Sequence, residues 1–122
     1  MVLGFKTQFV PKILGGSKIH TIREDKMNRW QKGVKIHFAT GVRTKNYAQF
    51  MEGVCCFNQA VILCPERQEI LLGLNGQMHL LDISKNLTFA QNDGFDTEQD
   101  FWGWFNKPFM GVVIHWTQFV YR

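Results

Sequence analysis

The chain has 122 residues, 45% of them hydrophobic, with 11 Phe and 4 Trp and a formal net charge of +4. This length fits a single domain, residues 1–122, and the apolar content excludes a disordered chain. No apolar stretch is long enough for a membrane-spanning helix, and the first residues lack the pattern of a signal peptide, so we expect a cytoplasmic protein without a membrane partner.

The charge is distributed unevenly along the chain. Residues 1–47 hold ten Lys and Arg and only two acids, whereas residues 48–122 hold four Lys and Arg and eight acids. A concentrated positive surface favours a polyanion such as RNA, because bound phosphates release condensed counterions. From charge alone, a solvated basic face without any ligand remains an equal alternative.

In chain order, residues 9–14 predict a short helix, with Pro11 in its first turn and two glycines ending it. Residues 19–23 are rich in β-branched side chains and predict a strand. A polar loop follows, and the alternation over residues 34–39 predicts a half-buried strand. Residues 41–47 predict a second loop.

The second half predicts further strands and two helices. Residues 54–64 predict one long apolar strand, and residues 68–74 and 77–83 predict an antiparallel hairpin around Asn75-Gly76. Residues 87–91 predict a short helix. A second helix begins after Asp96 or Thr97 and places Phe101, Trp104 and Phe105 on one face. Residues 110–121 predict a closing strand. The pattern as a whole indicates an α+β chain built as a mixed β-barrel.

The cysteines and histidines point to no cofactor or metal. The cysteines are Cys55, Cys56 and Cys64, and an odd number with two adjacent members is a poor disulfide framework, so we expect buried reduced thiols. The four histidines lack metal-ligand spacing, and we expect each to be structural or on the surface. We therefore predict no metal site and no cofactor.

The segment Gly16-x-Lys18-x-x-Thr21-Ile22-Arg23, preceded by Phe9 and Ile13, carries the most information. It resembles the signature of the ASCH family, small β-barrels related to the PUA RNA-binding domain. Residues 33–41 resemble the next segment of that family, with Val34 where the family usually has Asp. The resemblance implies a PUA-like barrel of five to six strands with two or three short helices.

The resemblance also implies a catalytic set of Lys18, Thr21 and Asp93. Some members of the family are small amidohydrolases that remove the acetyl group of N4-acetylcytidine with a Lys, a Thr and a distant Glu. Asp93 stands where the family has that Glu, and it is one methylene shorter. Thr21 would be the nucleophile, Lys18 as a neutral amine its base, and Asp93 a group that orients the substrate or shuttles a proton. Arg23 would bind phosphate or stabilise an oxyanion.

Strand geometry restricts this set. In a regular strand Lys18 and Thr21 point to opposite faces, and Thr21 shares its face with Arg23. Lys18 must therefore lie before the strand proper, at the Gly15-Gly16 turn, or on a bulge. Without the resemblance, Thr21 reads as a strand-forming residue and Lys18 as a surface lysine.

Four further residues are candidates for contacting a nucleic acid. Arg43 and Lys45 lie in a predicted loop that could reach a phosphate backbone, unless this is only a solvated basic turn. Trp30 lies in a polar loop beside Arg29 and is a candidate for stacking on a base. Trp102 lies off the predicted apolar helix face and is a second stacking candidate.

These observations favour an ASCH-type domain that binds RNA or a modified nucleoside in a basic cleft. The alternatives are an amidohydrolase acting on N4-acetylcytidine-like substrates, a ribonuclease, and a protein-interaction domain. The sequence leaves open whether the chain is an enzyme, and it does not give the oligomeric state. Convergence of Lys18, Thr21 and Asp93 on one cleft would favour an enzyme, whereas a broad groove with Asp93 far away would favour binding.

Overall fold

The structure is a computed structural model that describes all 122 residues. The chain is α+β, with eight strands in two sheets, three short α-helices and two 3-10 turns. The strands are β1 Val2–Gly4, β2 His20–Arg23, β3 Lys35–Thr40, β4 Ala48–Val54, β5 Phe57–Cys64, β6 Glu69–Leu74, β7 Gln77–Leu80 and β8 Phe109–His115. The α-helices are α1 Val10–Leu14, α2 Asn86–Asn92 and α3 Glu98–Trp104, and the 3-10 turns are Thr7–Phe9 and Ile83–Lys85.

The strands form one three-stranded and one five-stranded sheet. The first has the order β1-β3-β4, with β1 parallel to β3, and the second has the order β2-β8-β5-β6-β7 with antiparallel neighbours throughout. The two sheets do not share a hydrogen-bonded pair of strands, so they do not close into a barrel. The chain has eight strands, whereas five or six were predicted. The two strands that were not predicted are β1 and β4.

The predicted long strand over residues 54–64 begins too early: Val54 is the last residue of β4, and only Phe57–Cys64 forms β5, which belongs to the other sheet. Cys55 and Cys56 form the corner between them: the amide of Cys55 donates to Val34 O beside β3, and the amide of Cys56 donates to His115 O of β8. A continuous apolar run conceals this corner, because Cys55 is buried like a strand residue while its backbone changes partner.

The predicted hairpin is confirmed, with a shorter second strand. Asn75 and Gly76 both have positive φ, 54° and 78°, as a two-residue turn between right-handed twisted strands requires. Strand β7 ends at Leu80, because Asp82 accepts a hydrogen bond from the amide of Ser84 and begins a 3-10 turn. The predicted closing strand likewise ends at His115, and residues 116–122 follow without regular structure.

The three predicted helices are confirmed within one or two residues. Helix α3 begins after Thr97, whose side chain accepts from the amide of Asp100, as the sequence predicts for an N-cap. The expectation that Trp102 is free to stack on a base is wrong, since Trp102 is buried with Phe101. Trp104, by contrast, is 45% exposed. The helix is only two turns long and packs on more than one side, so a single apolar face does not describe it.

The core is one cluster of 20 buried residues that takes side chains from both sheets and from the helices. Phe38, Phe89 and Phe101 are its largest fully buried members. None of the helices has the length and apolar character needed to cross a lipid bilayer, since the longest have seven residues.

Candidate functional site

A cleft of about 410 Å³ opens beside β2, the end of α2 and helix α3. Lys18, Thr21, Arg23 and Asp93, which are four of the sequence-predicted site residues, all line it. They come from segments about 70 residues apart in the chain. The fold thus brings together the lysine, hydroxyl, guanidinium and carboxylate that the sequence analysis singled out.

Lys18 lies just before β2 and is almost completely buried, with 3% of the residue exposed. The turn after α1 places it there: Gly16 has φ +86°, and the amide of Lys18 donates to Lys12 O. Its Nζ donates to the carbonyl oxygens of His20, at 2.8 Å, and of Asp93. Burial lowers the pKa of Lys18 to about 8 from an ordinary value of 10.5, with the charge of Arg23 adding to the effect and Asp93 opposing it.

Asp93 follows α2 directly and turns its carboxylate inward. It is 2% exposed, and its Oδ1 lies 3.1 Å from Nδ1 of His20 and 3.5 Å from Nζ of Lys18. Both contacts fall on the same oxygen. The other oxygen, Oδ2, accepts no hydrogen bond from the protein, and Asp93 is one of the residues that line the cleft.

Gly94 allows this arrangement. Its φ of +99° is a conformation that side-chain-bearing residues rarely adopt. A Cβ at this position would lie 2.8 Å from Cδ of Lys18 and 2.9 Å from Cδ1 of Phe9. The stem of Lys18 therefore packs directly against the backbone at Gly94.

Thr21 and Arg23 share one face of β2, as strand alternation predicts. Arg23 Nε donates to Thr21 Oγ1 at 3.2 Å, and Arg23 Nη2 donates to Gly4 O at 2.7 Å. The guanidinium lies 4.9 Å from the ring centroid of Phe5, a cation–π contact. The Thr21 hydroxyl thus receives a hydrogen bond from a cation and keeps its own proton for another acceptor.

Aromatic rings form another part of the cleft lining. Phe9, Phe95 and Trp104 meet edge to face, with every pair of ring centroids 5.6 Å apart. Nζ of Lys18 lies 5.1 Å from the centroid of Phe9, which adds to the apolar surroundings of the amine. This surface offers π faces and edges to a flat ligand.

Two predicted binding residues lie outside the cleft, and a third is placed differently from the prediction. Arg43 and Lys45 are exposed in the loop between β3 and β4, and Val42 of the same loop lines the cleft. Trp30 is not a free stacking platform: it is 7% exposed and belongs to the core. Its amide donates to Asp25 Oδ2 and its carbonyl accepts from the Asn58 side chain, so the polar loop folds back and buries the ring.

His20 and the aromatic lining belong to the site, although neither was predicted from the sequence. His20 is fully buried beside Asp93, where a surface or purely structural histidine was expected. Side chains alternate between the two faces of β2, so His20 points to the face opposite Thr21. This alternation could have indicated that His20 is buried. Nothing in the local sequence indicated that Phe9, Phe95 and Trp104 would meet at the cleft.

The structure holds no group of three or more His, Cys, Asp or Glu side chains arranged to bind a metal ion. Comparison with protein-family models finds no match to this chain, and comparisons with curated proteins and with solved structures find no significant match.

Proposed function

We propose that this chain is an ASCH-type domain that binds a modified nucleoside in its cleft and, in the cytoplasm, hydrolyses the exocyclic amide of an N4-acylated cytidine. The observation that carries the proposal is the convergence of Lys18, Thr21 and Asp93 on one cleft. We also propose that the two sheets, joined at the Cys55–Cys56 corner, are a PUA-like barrel left open between them.

The size and lining of the cleft support a small flat substrate. A volume of about 410 Å³ lies within the range of small-molecule sites, about 300–1,000 Å³. The aromatic lining suits a nucleobase, and Arg23 supplies a cation beside the Thr21 hydroxyl. A protein-interaction surface would not need a buried amine and carboxylate.

The chemistry follows from the groups at hand. The Thr21 hydroxyl attacks the acyl carbonyl carbon and its proton passes to the neutral amine of Lys18. Arg23, which already donates to Thr21 Oγ1, stabilises the negative charge that develops on oxygen. The C–N4 bond then breaks as Lys18 returns the proton to N4. Water cleaves the acyl-threonine ester, which releases the carboxylate and restores Thr21.

The lowered pKa of Lys18 makes this base usable near neutral pH. With a pKa of about 8, half of the folded molecules carry the neutral amine at that pH. An ordinary lysine with a pKa of 10.5 would be neutral in well under a hundredth of the molecules. We therefore expect kcat/KM to rise with pH up to about 8 and then level off.

The test is incubation of the protein with a nucleoside panel that includes N4-acetylcytidine, followed by detection of cytidine and acetate. We expect turnover by the wild type and a loss of at least about a hundredfold in both Lys18→Met and Thr21→Val, as for the removal of a general base or a nucleophile. Lys26→Met, at a lysine whose side chain is 82% exposed, is the matched control. Turnover that survives Lys18→Met would exclude this mechanism.

A second candidate, binding of the nucleoside within RNA, is favoured by the loop between β3 and β4. Arg43 and Lys45 are exposed on this loop beside Val42, which lines the cleft. A strand of RNA that placed one base in the cleft could run past these two cations.

A further inference from the structure

A buried chain of hydrogen bonds continues from Asp93 away from the cleft. Nδ1 of His20 lies 3.1 Å from Asp93 Oδ1, and Nε2 of the same ring lies 2.6 Å from the hydroxyl of Tyr121. The side-chain amide of Asn92 donates to that hydroxyl at 3.1 Å. Three side chains, Asp93, His20 and Tyr121, thus connect the cleft to the segment that follows β8, and Asn92 adds a fourth at the hydroxyl.

The chemistry of each group fixes the direction of these bonds. An ionised carboxylate only accepts, so Nδ1 of His20 carries the proton and donates to Asp93. Nε2 is then an acceptor, and the Tyr121 hydroxyl donates to it. Because the phenol donates its single proton in this way, it is also free to accept from Asn92. Burial lowers the pKa of His20 and raises that of Tyr121, so both groups stay neutral near pH 7.

Hydrogen bonds to the backbone of Tyr121 hold this residue in position for the contact with His20. The side-chain amide of Gln59 on β5 donates to Tyr121 O at 2.9 Å, and Gln59 Oε1 accepts from the amide of Tyr121 at 3.1 Å. The same Oε1 accepts from Nε2 of His115 at 2.9 Å. The segment after β8 is therefore fastened to the sheet at the residue whose hydroxyl meets His20.

We propose that His20 and Tyr121 are positioning residues of the site, in which the Tyr121 hydroxyl holds His20 in the tautomer that donates to Asp93 and thereby governs the charge on Lys18. The catalytic meaning of this inference rests on the proposed function, whereas the coupling between Tyr121 and Lys18 does not.

The physical argument concerns what happens when the hydroxyl is lost. His20 could then move its proton to Nε2 and turn a lone pair toward Asp93 Oδ1. The carboxylate, without its donor, would depend on the ammonium of Lys18, 3.5 Å away, and would favour its charged form. The pKa of Lys18 would rise, and less neutral amine would be available at a given pH.

Several other ionisable groups face this network. Lys12 and Arg23 act on Lys18 by their positive charge, and the ring of His115 lies 5.4 Å from that of His20. Burial lowers the pKa of His115 to about 3, and burial also lowers the pKa of Arg23, an effect that the charge of Asp93 opposes. The pKa of His115 lies far below 8 and that of Tyr121 is raised by burial, so neither ring changes its charge near pH 8. A shift in the titration of Lys18 in Tyr121→Phe therefore reports on Asp93 and its donor.

The experiment is an NMR titration of the Lys18 side chain, through its labelled Cε, in wild type and in Tyr121→Phe. The phenylalanine keeps the ring packed against Phe89 and Phe119 and removes only the hydroxyl. We expect the pKa of Lys18 to rise by about half a unit or more, and the ¹⁵N signals of His20 to lose the pattern of the Nδ1–H tautomer. Tyr47→Phe, at the other tyrosine of the chain, is the matched control and should shift neither.

Asn92→Ala is a second variant, since it removes a donor to the hydroxyl and leaves the buried rings in place; it should shift the pKa of Lys18 in the same direction by less. If a nucleoside is turned over, the midpoint of the pH–rate profile should move with the Lys18 titration, kcat below pH 8 should fall about threefold for a rise of half a pKa unit, and KM should change less than about twofold. An unchanged Lys18 titration in folded Tyr121→Phe, or in Asn92→Ala if Tyr121→Phe does not fold, would overturn the coupling. Absence of turnover by the wild type would instead remove the proposed function and the catalytic meaning of the coupling.

Discussion

At the scale of single residues, the burial of Lys18 makes folding depend on pH. Its pKa is about 8 in the folded chain, against an ordinary value of 10.5. Between these two values the unfolded chain binds a proton that the folded chain has released, so the free energy of unfolding rises with pH. The free energy of unfolding gains about 3 kcal/mol in total across this interval. Below pH 8 there is no gain, because Lys18 is charged in both the folded and the unfolded chain.

We therefore predict that Lys18→Met abolishes this rise. Urea unfolding of wild type and variant at several pH values between 7 and 10 measures it, and the difference between the two curves isolates Lys18. The difference is needed because burial raises the pKa of Cys55 to about 11 and also raises that of Tyr121, and both lower stability at high pH. Parallel curves for the two proteins would show that Lys18 titrates normally.

The backbone at Gly94 leads to a second prediction at this scale. Gly94→Ala should destabilise the fold by about 2 kcal/mol or more, because φ is +99° and the new Cβ would overlap the stem of Lys18. Gly103→Ala in helix α3 is the control, since a Cβ there meets nothing within 4 Å. We expect the control to stabilise the protein by up to about 1 kcal/mol. Thermal melts of both variants measure this contrast, and equal melting temperatures would contradict the role of Gly94.

At the scale of elements, the segment after β8 depends on one side chain of β5. Gln59→Ala removes both hydrogen bonds to the backbone of Tyr121 and leaves buried polar groups unpaired, so we predict a loss of about 2 kcal/mol. Exchange of the Tyr121 amide proton should become faster. Gln49→Ala, at an exposed position of β4, is the control for the loss of a glutamine in a strand. Slow exchange at Tyr121 in Gln59→Ala would show that the segment is held by ring packing instead.

Elements that are determined by neighbouring residues in the chain could be predicted from the sequence. Elements that are determined by pairing with residues far away in the chain could not. The hairpin at Asn75-Gly76 and the cap at Thr97 depend on neighbours in the chain, so their residue types predict them. The corner at Cys55–Cys56 depends on which strands pair with each side, and periodicity does not reveal it. In the same way, the ASCH-like motif indicated Lys18 and Thr21, whereas the contact of Asp93 with His20 and Tyr121 joins segments far apart in sequence.

At the scale of the whole molecule, the positive charge of residues 1–47 bears on the choice between a free nucleoside and RNA. If RNA is the ligand, the double variant Arg43→Glu/Lys45→Glu should weaken its binding at least about tenfold and flatten the salt dependence, because the two proposed phosphate contacts become repulsive. Turnover of a free nucleoside should not change, since neither side chain lines the cleft. Binding assays at several salt concentrations, alongside nucleoside turnover, measure both effects.

The control is a second double variant that changes the net charge by the same amount at positions outside the loop between β3 and β4. Arg67→Glu/Lys85→Glu places it in the acidic part of the chain, at two exposed side chains. If both double variants weaken RNA binding equally, the effect comes from overall charge, and the loop between β3 and β4 is not part of an interface.

The acceptors of the Lys18 amine have a consequence for how this protein could evolve. They are main-chain carbonyls, of His20 and Asp93, while the side chains of those two residues hydrogen-bond to each other. Mutation can exchange the two side chains but cannot delete the two carbonyls. Substitutions at these positions can therefore change the pKa of Lys18 while the amine keeps its two main-chain partners and its place.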